Sequence, residues 1–172
     1  MHFCFFLLLL IPGLFALDVE ISARSAILMN ADTGAILFEK HAHLPSYPAS
    51  TTKVGTALFV LDGKGVDLQQ FFSASETALQ MKTAFFNDPH GLESDGTMMG
   101  LKKGESLPLD ALLHGMIMVS GNDAANVIAE SLSGSVPLFV REMNDYLAKI
   151  GCQKTNYLNP HGLHHPEHIT TA

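Results

Sequence analysis

Cys4 and Cys152 are the only cysteines in the chain, so neither a disulfide framework nor a thiolate metal site can be built from it. Positive charge is scarce too. Lysine and arginine total 10 against 17 acidic residues, a net charge of -7 with histidine neutral. No run of five basic residues occurs, which excludes the non-specific grip on phosphate backbones that basic tracts provide; nucleic acid is not an expected partner. Repeats and low-complexity linkers are absent. What remains is 47% hydrophobic and 16% charged over 172 residues, a composition that can bury a core and suits one domain or part of a larger one.

One long apolar run exists, Phe3 to Ile11, broken by Pro12-Gly13 and followed by the small Ala16. A helix from Phe3 to Leu17 would reach only about 22 Å, short for a transmembrane span. The run therefore reads as a secretory signal over residues 1–16, leaving 17–172 as the mature chain. Two features depart from that pattern: no Lys or Arg precedes the run, and Leu14 is not small. An uncleaved anchor is the other reading. Cys4 does not follow a cleavage site, so no lipoprotein signal is read, and after cleavage Cys152 would be the lone thiol. No further membrane anchor is visible.

Ser25–Asn30 and Ala35–Glu39 are short apolar stretches around Asp32-Thr33-Gly34, which predicts a β-hairpin with both faces covered. A loop from His41 to Tyr47 leads to Pro48-Ala49-Ser50-Thr51-Thr52-Lys53. The apolar positions Val54, Ala57, Leu58, Val60 and Leu61 then predict a helix of roughly three turns ending at Asp62-Gly63. Ser73-x-x-Glu76 has capping-box spacing. Residues 82–97 read as an irregular excursion, and Lys102-Lys103-Gly104 as a turn. Leu109, Leu112, Leu113, Met116 and Ile117 predict a helix ending at Ser120-Gly121-Asn122. Further helices are predicted from about Asp123 to Ser133, and from a Ser135 cap with Phe139, Val140, Met143, Leu147 and Ile150 as the stripe and Gly151 as the stop.

Ser50 and Lys53 are three apart on a helix, hence on one face. A serine hydroxyl needs a base, and a lysine can be that base if burial or a nearby cation lowers its pKa. The plain alternative is a Ser N-cap followed by a solvated Lys. Ser120-Gly121-Asn122, at a helix junction, can point a hydroxyl and an amide into a cleft, the first to relay a proton and the second to hold a lysine or a carbonyl; alone it reads equally as a turn with caps. His161, His164, His165 and His168 invite a metal reading, but Pro160, Gly162 and Pro166 put them on a loop without fixed geometry, so neither a metal nor another cofactor is expected. Asp123 and Glu130 have ordinary capping and surface explanations.

Taken together these stretches resemble the serine D-alanyl-D-alanine carboxypeptidases, the low-molecular-mass penicillin-binding proteins. Ala31-Asp32-Thr33-Gly34 looks like the family's opening hairpin, Pro48–Lys53 its first motif and Leu112–Ala125 its second. Phe139–Asn144 and Thr155–Leu163 look like its next helix and loop. Gly121 favours this branch over the β-lactamases, which usually carry Ser-Asp-Asn at that motif. The resemblance implies an α/β (α+β) fold of the β-lactamase/DD-peptidase type, an antiparallel sheet with flanking helices and an all-helical subdomain. It implies Ser50 as nucleophile, Lys53 as base, Ser120 as proton relay and Asn122 as a holder of Lys53 and substrate. Peptidoglycan pentapeptides ending in D-Ala-D-Ala and β-lactam antibiotics would be the partners, and the periplasm or cell envelope, across the inner membrane, the location. A transpeptidase or class A-type β-lactamase of the same fold, and a non-catalytic wall-peptide binder, are the rival readings. The family's third motif, Lys-Thr-Gly, does not occur here: Lys82-Thr83-Ala84 and Lys154-Thr155-Asn156 lack the glycine. The expectation is an N-terminal part of the catalytic domain, lacking its C-terminal strands and inactive alone.

Overall fold

The structure, a computed structural model, describes residues 20–81, 89–94 and 96–172. The expected signal segment and half of the excursion over 82–97 lie outside those residues. Two compact units form, one from the N-terminal residues to Leu44 together with Ala172, the other from Pro45 to Thr171.

The first unit carries the hairpin. Strands β1 (Ala26–Met29) and β2 (Ile36–Lys40) pair antiparallel, with Ala26 opposite Lys40 and a register irregularity between Leu28 and Met29. The turn is held by Asn30, whose side-chain oxygen accepts from the Asp32 and Thr33 amides at 3.0 and 2.8 Å. This is an Asx-type closure that Asn makes readily. Covered faces are not what is found: Leu28, Met29, Ile36 and Leu37 are exposed. A two-stranded ribbon cannot shelter its own faces.

The second unit is mostly helical. A 3-10 turn (Ala49–Thr51) runs into α1 (Thr52–Leu58) and then a π-helical turn (Phe59–Gly63). Strand β3 (Phe71–Ser73) pairs antiparallel with β4 (Ser106–Pro108), followed by α2 (Leu109–Met118), α3 (Asn122–Ser133) and α4 (Val136–Lys149). Ser73 therefore sits in a strand and caps nothing; the local cap is Ser75, whose Oγ accepts from the Ala78 amide at 2.9 Å. Ser135 caps α4 by accepting from the Leu138 amide at 3.3 Å. Gly134 takes the left-handed conformation that closes α3, φ +79°.

The core gathers Phe59 and Val60 with Leu109, Leu112, Met116, Val127, Ile128, Phe139, Val140, Met143 and Leu147. Ile117 and Ile150, expected on the buried stripes, are exposed: each lies at the end of its helix, past the covered edge. Helix α1 departs most from its apolar pattern. Val54, Leu58 and Leu61 face solvent, while Thr52, Lys53 and Thr56 are buried. Burying polar groups is tolerable only if each finds a partner. Thr52, Lys53 and Thr56 all find theirs in the loop over residues 156–168.

Candidate active site

Two backbone strains set Ser50 and its neighbour Ser120. Ala49, just before Ser50, has φ +48°, and Ser120 has φ +58°. Neither is glycine, so each costs of order 1–2 kcal/mol that the surrounding packing must overcome. Behind Ala49 stands Gly162, φ +95°, and a Cβ there would run into the Ala49 carbonyl. That close approach seats the turn carrying Ser50. Gly162→Ala is accordingly expected to push Ala49 and Ser50 outward. Acylation of Ser50 by a penicillin should slow by roughly 10- to 100-fold, since misplacement near 1 Å costs about that much. Stopped-flow rates decide it, and a wild-type rate in the Ala variant would mean the contact does not position Ser50.

Ser50 is exposed and takes two hydrogen bonds: the Lys53 Nζ donates to its Oγ at 3.2 Å and the Ser120 Oγ donates at 2.9 Å. The structure thus brings together three of the four residues singled out in the sequence. Lys53 is 2% exposed, and burial lowers its pKa from 10.5 to about 8. Its second acceptor is the backbone carbonyl of His161, at 2.7 Å. Among the hydrogen bonds of the described residues Asn122 is not a partner of Lys53. Asn122 is buried at the start of α3, with its amide donating to the Thr97 carbonyl at 2.9 Å and its Nδ2 beside Gly96.

Asp123, given an ordinary capping or surface explanation from the sequence, is 1% exposed. Its carboxylate accepts from the backbone amides of Met99, Gly100 and Leu101 at 2.8–2.9 Å, tying the 97–101 segment to the Ser120–Asn122 junction. Glu130 accepts from the Ser75 hydroxyl.

The histidines are occupied with structure. His168 is buried; its Nδ1 accepts from the Leu158 amide at 3.0 Å, so the proton is on Nε2, which meets Thr52 Oγ1 at 2.8 Å. Its ring stacks on Tyr157, centroids 5.0 Å apart. His161 Nδ1 accepts from the Leu163 amide at 3.2 Å. Burial first, then the Lys53 charge, holds His161 down to about 3; burial first, then His165 and His164, holds His168 down to about 4. Both imidazoles are therefore neutral at ordinary pH. His164 packs edge-on against Tyr47, and His165 Nδ1 accepts from the Glu167 amide at 3.1 Å. Among the described residues no three His, Cys, Asp or Glu side chains are grouped to hold a metal, nor is any helix long and apolar enough to cross a membrane.

The 159–163 loop is the component that sequence reasoning did not assign to the site. Asn-Pro-His-Gly carries the signal that could have found it: an Asx turn closed by a glycine, of the kind that aims a backbone carbonyl.

Comparison with known proteins matches this arrangement to one family. The D-alanyl-D-alanine carboxypeptidase family, peptidase S11, matches over residues 14–172. The chain is 35% identical to the D-alanyl-D-alanine carboxypeptidase DacA of Haemophilus influenzae, over 89% of the chain and 37% of that protein. It is 33% identical to DacC of Escherichia coli, over 97% of the chain and 42% of that protein. Among solved structures, penicillin binding protein 6B from Escherichia coli superposes with a TM-score of 0.80 at 30% identity, over 92% of this chain and 49% of that one. DacD from Francisella tularensis gives 0.78 at 30% identity, over 91% and 36%. The chain thus spans about two fifths of the length of these curated relatives. These superpositions bear out the DD-peptidase-like fold expected from the motifs, and the chain belongs to the D-alanyl-D-alanine carboxypeptidase family.

Proposed function

We propose that this site removes the terminal D-alanine from peptidoglycan peptides ending in D-Ala-D-Ala, by way of an acyl-enzyme on Ser50. One observation carries the reading: a serine hydroxyl held between a buried lysine amine at 3.2 Å and a second serine hydroxyl at 2.9 Å. The neutral Lys53 amine takes the Ser50 proton as the Oγ attacks the carbonyl between the two D-alanines. Ser120, hydrogen-bonded to the same Oγ, passes a proton to the departing D-alanine nitrogen. Water then releases the acyl group. Asn122, at the junction beside Ser120, is assigned to the substrate's amide. The Lys-Thr-Gly strand of the family would bind the substrate carboxylate and add an oxyanion donor, a contribution of roughly 3–4 kcal/mol in related hydrolases. β-Lactam antibiotics, as acylating mimics of the same peptide, are the expected inhibitors. Export to the periplasm or cell envelope rests on the composition of residues 1–16, with 17–172 as the part of the catalytic domain present here.

The test uses a chain that carries the family's Lys-Thr-Gly strand together with these residues. Incubation with a fluorescent penicillin, followed by peptide mapping, is expected to place one adduct on Ser50, and a D-Ala-D-Ala peptide to release free D-alanine. An adduct mapped to another residue would end the assignment. Acyl transfer to an added amine in place of water would make the enzyme a transpeptidase.

A further inference from the structure

The base of this site has a backbone carbonyl as its second partner, and a carbonyl is only as well placed as the loop that carries it. Asn159 is 1% exposed, and its whole side chain is spent on that loop. Its Oδ1 accepts from the amides of His161 at 3.3 Å and Gly162 at 2.6 Å, and its Nδ2 donates to the Leu163 carbonyl at 2.8 Å. These bonds close the turn on both sides of the His161 carbonyl. The same turn sets Pro160, whose carbonyl accepts from Thr56 Oγ1 at 2.7 Å, one helical turn along from Lys53. It also sets Gly162 against Ala49. One carboxamide therefore governs three contacts with the nucleophile helix.

We propose that Asn159 is a positioning residue for Lys53: it fixes the His161 carbonyl, and that carbonyl orients the amine. A neutral amine has two N–H bonds and one lone pair. With one N–H committed to the His161 oxygen, rotation about Cε–Nζ is restricted, and the lone pair can be presented to the Ser50 hydroxyl. In the protonated state the same two acceptors hold the ammonium, so the nitrogen need not move as the proton arrives. The inference rests on the proposed function for what the amine is used for, but its placement can be measured without any catalysis.

The measurement is the titration of Lys53 Nζ by NMR in protein labelled with 15N-lysine, the signal assigned through Lys53→Arg. His161, neutral above about pH 3, is the titratable group beside the amine. Wild type is expected to titrate near pH 8. Asn159→Leu, similar in shape but without polar atoms, releases the turn and lets water reach the amine; the midpoint should rise by about one unit or more toward its ordinary value. Asn159→Ser keeps an acceptor for the same amides and should stay within about half a unit of wild type. A folded Asn159→Leu protein titrating like wild type would overturn the inference. If that variant does not fold, Asn159→Ser decides: a wild-type midpoint supports the assignment, and a midpoint in the ordinary lysine range overturns it. Penicillin acylation, run in parallel, separates the two claims: no adduct in wild type defeats the carboxypeptidase reading, while the Lys53 midpoints still decide the positioning of the amine.

Discussion

Lys53→Arg is expected to slow acylation of Ser50 about as severely as Lys53→Ala, by roughly 10³-fold or more, the upper part of the range for loss of a general base. A guanidinium keeps the positive charge but stays protonated at any working pH and cannot accept the Ser50 proton. The distinction matters because a cation beside Ser50 Oγ could act purely by electrostatic attraction, and only the arginine variant separates charge from basicity. The pH profile gives the same answer in wild type. With the Lys53 pKa at about 8, the rate should rise close to tenfold per pH unit below that value and level off above it. An arginine variant that acylates at near wild-type rate, or a profile flat from pH 6 to 9, would reduce Lys53 to a fixed charge.

Acidification from pH 7 to 5 is expected to remove about 4 kcal/mol of stability through two histidines alone. His161 and His168 titrate in the folded protein at about 3 and about 4, against 6.5 when unfolded. Between 6.5 and 4 the unfolded chain binds two protons that the folded chain refuses, so stability falls as pH falls through that window; above 6.5 it is fully present. The charge on Lys53 and the neighbouring His164 and His165 act in the same direction. Glu142, hydrogen-bonded to Lys64 and Ser133, has its carboxyl held below its ordinary value. Urea unfolding at pH 7 and pH 5 measures the difference. A midpoint unchanged between them would mean that one or both rings are protonated in the folded state, against the Leu158 amide that donates to His168 Nδ1.

The parts of the site legible in the sequence were those written in local spacing. Ser50 and Lys53 lie within one helical turn, and Ser120-Gly121-Asn122 lies at a junction marked by two strong helical stripes. The hairpin was readable because Asn30 and Asp32-Thr33-Gly34 carry their own turn chemistry. What escaped was set at long range. Strands β3 and β4 are three residues each and pair Phe71 with Pro108 across more than thirty residues of chain, so neither has a periodic signature of its own. Asp123 resembled an ordinary cap because its amide partners, Met99 to Leu101, are remote in sequence. The inversion of α1, polar side in and Val54 and Leu58 out, could not be read from hydropathy, because the partners that make it tolerable are backbone carbonyls and a histidine in the 156–168 loop.

The burial of Lys53 puts activity and robustness in opposition at a single position. An amine pushed from 10.5 to about 8 is one the fold would rather not keep charged, and the folded state recovers that loss only as pH climbs between those values. A stabilising redesign guided by burial alone would choose this position early and put methionine there, a side chain of similar length with no charge to desolvate. The protein would tolerate more heat and lose its proposed base in the same step.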